Sequence, residues 1–198
     1  MKNIFCCLVL FLLTIFNVCT QEVISRFDLS GFKVEVIPSE TFSYQVFSPD
    51  STNISKEIKE GTLHLQVLDQ TGKVPKGHIK IYADNIESLY IHNCILQMES
   101  TAMYKKLTLD MAASSGELKV SSDSLFLSLA AGSSLKAEGR ALYSELNVGA
   151  GSNLNASKFR VEKGDIDIRG HSSAAVNIKK IEKQYMENGN LKNKYNKE

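Results

Sequence analysis

The sequence predicts an all-β fold: a single-stranded parallel β-helix whose coils repeat every 18–20 residues. Three observations carry this reading. Apolar and polar side chains alternate from Phe27 onward, and no helical i, i+3, i+4 stripe of useful length appears before Ile178. Five strand–turn–strand copies follow one another in the second half, at spacings of 20, 18, 19 and 20 residues. The same side-chain character recurs at each equivalent position, which stacked coils demand and an antiparallel meander does not. An antiparallel β-sandwich is the alternative architecture.

The elements follow in chain order. Lys2 precedes an apolar run from Ile4 to Val18, broken only by Thr14 and Asn17. Such a run is shorter than the roughly 20 apolar residues of a membrane span. With its basic start it reads as a secretory signal peptide over residues 1–20, cleaved between Thr20 and Gln21. Two alternatives are an uncleaved anchor and a lipoprotein acylated at Cys19, although Val18 is bulkier than such sites favour. The domain then spans 21–185, and 186–198 form a charged C-terminal tail. The mature chain has no transmembrane span. It keeps Cys94 as its one cysteine, so no intrachain disulfide and no zinc site of the CxxC kind can form.

Early strands are marked by Phe27/Leu29, Phe32/Val34/Val36, Phe42/Tyr44/Val46, Leu63/Leu65/Val67 and Ile79/Ile81. Between them Ile54–Ile58 offers at most one helical turn. The repeats follow as Leu89-Tyr90-Ile91, Leu109-Asp110-Met111, Leu127-Ser128-Leu129, Leu146-Asn147-Val148 and Ile166-Asp167-Ile168. After each comes a small or polar turn, such as Ala130-Ala131-Gly132-Ser133-Ser134. A second alternation succeeds it: Leu96/Met98, Leu118/Val120, Leu135/Ala137, Leu154/Ala156 and Ala174/Val176/Ile178. Stacked coils then require an inner column of Ile91, Met111, Leu129, Val148 and Ile168.

These segments carry a family resemblance. Phe32-Lys33-Val34-Glu35-Val36, Glu60-Gly61-Thr62-Leu63-His64-Leu65 and Ile81-Tyr82-Ala83-Asp84-Asn85-Ile86-Glu87-Ser88-Leu89 are the matching stretches. So are the turns Ala131-Gly132-Ser133-Ser134 and Gly149-Ala150-Gly151-Ser152. Over roughly residues 26–190 the chain resembles the putative auto-transporter adhesin, head GIN-domain family of exported bacterial proteins. The resemblance implies a right-handed β-helix in the cell envelope or outside the cell, and it brings no catalytic residues. His92-Asn93-Cys94 and Arg169-Gly170-His171 depart from the usual Ser-Gly-Ala-Ser turn.

Composition narrows function. With 23 Lys+Arg against 22 Asp+Glu, the chain lacks the basic excess of a nucleic-acid binder. Outward columns place Glu145 beside Asp165 and Asn147 beside Asp167, a candidate weak cation patch. Glu145 and Asp165 would stand about 5 Å apart, the spacing of a retaining glycosidase, as any two acids stacked in adjacent coils would. His64, His78, His92 and His171 share no metal-ligand spacing, and His64 should point outward from its strand. His92 and Cys94 lie two apart, but a packed small residue is the simpler account of Cys94. No catalytic residue, cofactor or metal site is implied. The expected function is an exported, non-enzymatic binding or structural module of the bacterial envelope, an adhesin with a surface glycan or protein as partner. The alternatives are a carbohydrate-active β-helix enzyme and a scaffold that self-assembles through its coil ends. Periplasm, outer-membrane surface and extracellular space all fit such a product.

Overall fold

The computed structural model describes residues 24–47, 53–68 and 77–195. The expected signal segment, with Cys19, Thr20 and Gln21, lies outside the described residues. Among the described residues thirteen strands form one continuous sheet wound into a parallel solenoid. They are β1 (Arg26–Ser30), β2 (Phe32–Ile37), β3 (Ser43–Phe47), β4 (Ile54–Lys59), β5 (Thr62–Val67), β6 (Gly77–Tyr82), β7 (Ser88–His92), β8 (Ile95–Ala112), β9 (Ser115–Ala130), β10 (Ser134–Val148), β11 (Asn153–Arg169), β12 (Ser173–Glu187) and β13 (Asn190–Asn193). Strand β12 continues past residue 185 and β13 pairs with its start in parallel, so ordered pairing reaches into the expected charged tail.

The expected inner column is present. Ile91 pairs with Met111, Met111 with Leu129, Leu129 with Val148 and Val148 with Ile168. Leu29 and Leu65 extend it toward the N-terminal end, and no member is more than 3% exposed. Every coil therefore buries one more aliphatic side chain against those above and below. At roughly 1.5–3 kcal/mol for each fully buried aliphatic residue, these columns are the main favourable term of the fold.

The second column differs from the sequence expectation by two residues in one coil. Leu96 faces Gly116, which in turn faces Leu135, while Met98 faces Leu118. Gly116 fills the first inner position because a Cβ there would meet the Leu96 carbonyl oxygen at 2.5 Å. The chain turns in two ways to reach this position. Asn93 and Ala113 turn through a single left-handed residue, whereas Ala131-Gly132, Ala150-Gly151 and Gly170-His171 use two in succession. The two departures from the usual turn, at Asn93 and His171, thus take the same two backbone forms as the other turns.

The order of the coils was not legible in the sequence. β1 pairs in parallel with both β5 and β7, and β2 with both β6 and β8. The first coil therefore sits inside the stack, between the coil β5–β6 and the coil that begins with β7. Segment 83–87 carries the chain back across it, donating from Ala83 N to the Ile37 carbonyl (3.1 Å) and from Glu87 N to the Ser25 carbonyl (2.8 Å).

Beyond β5 and β6 the N-terminal end is closed by antiparallel pairing, β4 on β5 and β3 on β6. Ile54–Lys59 is thus an edge strand and not a helical turn; its mostly exposed side chains and its backbone bonds to β5 define it. Antiparallel strands end the parallel stack there, satisfying backbone groups that would otherwise offer an open edge.

Candidate functional site

A ladder of buried hydroxyls holds the turns in place. Ser114, Ser133, Ser152 and Ser172 are each at most 5% exposed. Each accepts a backbone N–H from the equivalent residue one coil earlier: Cys94 N to Ser114 Oγ (3.0 Å), Ser114 N to Ser133 Oγ (3.2 Å), Ser133 N to Ser152 Oγ (3.1 Å) and Ser152 N to Ser172 Oγ (3.2 Å). Ser133 Oγ donates in turn to the Ala130 carbonyl at 2.6 Å. Cys94 takes the serine position in its own coil. Its Sγ accepts the Phe32 N–H and approaches the Leu29 and His92 carbonyls at 3.4 and 3.3 Å. Burial pushes its pKa up, and its contact with His92 is to the carbonyl and not to the ring. The spacing of these residues, 20, 19, 19 and 20, was the signal for the ladder, but turn serines hide it.

The four residues of the expected acidic patch are brought together as anticipated: Glu145 pairs with Asp165 and Asn147 with Asp167. Each carboxylate already has a protein partner. Asp165 accepts the Tyr143 hydroxyl (3.0 Å) and the Lys183 backbone N–H (3.1 Å), with Lys183 Nζ at 3.7 Å. Asp167 is held by two guanidinium nitrogens of Arg169, at 2.7 and 2.6 Å. Asn147 Nδ2 donates to Glu145 Oε1 at 3.3 Å. Among the described residues no group of three or more His, Cys, Asp or Glu side chains is arranged to hold a metal ion. His64 points outward as expected and meets Asp28 Oδ2 at 3.0 Å.

A cleft of about 710 Å³ arises where segment 83–87 recrosses the inserted coil and opens beside β8. Arg26, Glu87, Tyr90, Lys105, Lys106 and Thr108 are among its walls. Arg26 is anchored by donating to the Glu60 carbonyl, and Asp84 is tied down by accepting the Ser39 N–H at 2.9 Å. Lys106 Nζ lies 4.9 Å from the centre of the Phe126 ring, and Tyr90 is 42% exposed. Cations, one accessible aromatic ring and hydroxyls thus converge on an open trough. Next to it on the outer column stands Asp110, paired with Tyr90 and Ser128. Burial raises its pKa, and the hydrogen bond with Ser128 offsets only part of that. Sequence reasoning placed Tyr90 and Asp110 on the outer column but missed the cleft, because the cleft depends on the coil order.

Stacked coils that present polar columns and a shallow charged trough define a β-solenoid whose chemistry lies on its outer surface. The family described as "Putative auto-transporter adhesin, head GIN domain" matches residues 29–194, and the chain belongs to that family. Among solved structures the fold is shared with a "putative adhesin" of Bacteroides fragilis NCTC 9343, at TM-score 0.68 and 16% identity, over 86% of this chain and 92% of that one. It is also shared with a "Putative lipid binding protein" of Parabacteroides distasonis ATCC 8503, at TM-score 0.52 and 16% identity, over 85% and 93%. Among curated proteins none matches the chain. No helix among the described residues is long and apolar enough to cross a membrane.

Proposed function

We propose that the protein is an exported, non-enzymatic binding module of the cell envelope that holds a surface glycan in the cleft at segment 83–87. Residues 1–20 direct export and the mature chain begins at Gln21. One observation carries the choice of site: Arg26, Lys105, Lys106 and Tyr90 converge in an open trough large enough for several sugar units. Pockets of roughly 300–1,000 Å³ are typical of small-ligand sites, so the volume suits an oligosaccharide. An aromatic ring offers a face for a sugar ring, and the cations favour uronic or sulfated residues. Membership of an adhesin family supports binding over turnover, as does the prior commitment of Asp165 and Asp167 to neighbouring donors.

A glycan array probed with the mature protein and with Tyr90→Ala tests this. Binding to acidic glycans that Tyr90→Ala loses is the expected result. No binding to any glycan, or equal binding by the variant, would count against the cleft. Hydrolysis of an oligosaccharide by wild type but not by Glu145→Gln would replace this reading with the enzymatic one.

A further inference from the structure

A second groove lies on the outer face of the coils, across β8 to β11. Its volume is about 450 Å³, and its walls include Met103, Arg140, Leu142, Arg160 and Glu162, with Ser122 in the floor. Arg140 on β10 pairs with Arg160 on β11, so the two guanidinium side chains start from adjacent strands about 4.8 Å apart. Among the described residues neither forms an ion pair, although the lysines around them do: Lys136 and Lys158 with Glu138, Lys179 with Glu162. Glu162 lines the same groove, where Lys179 Nζ pairs with it at 2.8 Å and the Arg160 charge, the smaller influence, also lowers its pKa. Like charges stacked on neighbouring strands repel unless an anion joins them.

The apolar component is equally marked. Leu142 is 58% exposed and Met103 51%, side chains that normally seek cover. The Ser122 hydroxyl beneath them is buried without a hydrogen-bond partner. The backbone fixes where Arg140 emerges. Gly139 sits at φ 125° against the Val120 carbonyl, where a Cβ would collide, so only glycine carries the chain round this corner.

We propose that this groove binds a free single-chain amphiphilic anion, its carboxylate received by Arg140 and Arg160 and its alkyl chain laid along Leu142 and Met103. Guanidinium forks match a carboxylate in geometry as well as charge. No aromatic side chain lines the groove to stack a sugar. The site is separate from the glycan reading: Met103 borders both cavities, but Tyr90 belongs to the cleft and Leu142 to the groove.

The experiment is a calorimetric titration of the mature protein with laurate below its micelle concentration, beside acetate, dodecyl maltoside and phosphatidylglycerol vesicles. Saturable binding of laurate is expected, with acetate and dodecyl maltoside weaker by about tenfold or more, since each lacks one half of the recognition. Arg140→Gln/Arg160→Gln should weaken laurate by a similar factor, Leu142→Ser by a smaller one, and Tyr90→Ala should leave it unchanged. Arg140→Lys/Arg160→Lys keeps the charge and controls for folding; it should fall between wild type and the Gln pair. Equal affinity of laurate for the Gln variant, or of dodecyl maltoside and laurate for wild type, would overturn the proposal. So would an absence of saturable binding, or binding to vesicles in preference to free laurate.

Discussion

Replacing Ser133 by Ala tests the hydroxyl ladder at one rung. The hydroxyl accepts the Ser114 N–H at 3.2 Å and donates to the Ala130 carbonyl at 2.6 Å, with the Met111 carbonyl as a second acceptor at 3.2 Å. The Ala130 carbonyl keeps other donors, the backbone N–H groups of Ala113 (3.3 Å) and Ser133 (3.2 Å). The Ser114 N–H loses its partner while remaining buried, since Ser114 is 5% exposed. A stranded buried donor costs about 1–3 kcal/mol. For a domain of this size that lowers the melting temperature by about 2–12 °C. Ser134, the next residue, is exposed, so Ser134→Ala should stay within about 0.5 kcal/mol of wild type. Ser133→Cys should cost less than Ser133→Ala, because Cys94 already fills the equivalent rung with a thiol that accepts a backbone N–H at 3.4 Å. Urea unfolding followed by far-ultraviolet circular dichroism, at unchanged m-value, measures all three. If Ser133→Ala matches Ser134→Ala, or the Cys variant is the worse of the two at position 133, the ladder does not stabilise the turns.

Further expectations concern the core, the corners and pH. Leu129→Ala in the inner column should cost about 2–5 kcal/mol in the same assay, and a cost below about 1 kcal/mol would contradict its place there. Gly139→Ala should cost well over the roughly 1–2 kcal/mol of Gly132→Ala, since both adopt positive φ but only the Gly139 Cβ would strike backbone; equal melts would refute the crowded corner. Asp110 has a raised pKa, so the folded state holds its proton more tightly than the unfolded chain does. Its contribution is therefore fully present below the ordinary carboxylate pKa and lost as pH rises through the folded value. Asp110→Asn should be the more stable protein at pH 7, with the gap closing below about pH 4; a constant gap in melts across that range would disprove this cause.

The sequence displayed the coils more clearly than their order. Period-2 alternation and recurrence every 18–20 residues were enough to place Ile91, Met111, Leu129, Val148 and Ile168 in one column. They were also enough to bring Glu145 to Asp165. Both follow from local geometry, because a strand's facing is set by its own alternation. The insertion of β1 between β5 and β7 left no such trace: Phe27/Leu29, Leu63/Leu65 and Leu89/Ile91 present the same inner pattern, so any two could have been neighbours. Gly116 slipped the second column by two residues because the sequence pattern ranks a glycine below Leu118 as an inward residue, while tight backbone approach favours it. The cleft inherits the first difficulty. Its walls come from Arg26, from segment 83–87 and from β8, which only the recrossing chain brings together.

That recrossing can be measured directly. In a Cys94→Ser background, cysteines are introduced in pairs at Asp28 and Tyr90, and at Asp28 and His64, whose positions are register partners on the two sides of β1. Neighbouring parallel strands place paired Cα atoms about 4.8 Å apart, within the range a disulfide spans. Both pairs should oxidise rapidly in the native protein and slowly in urea, whereas a control pair at Asp28 and Asn147, several coils apart, should not. If only one of the two pairs forms, β1 lies at an edge of the stack and the cleft does not exist as described.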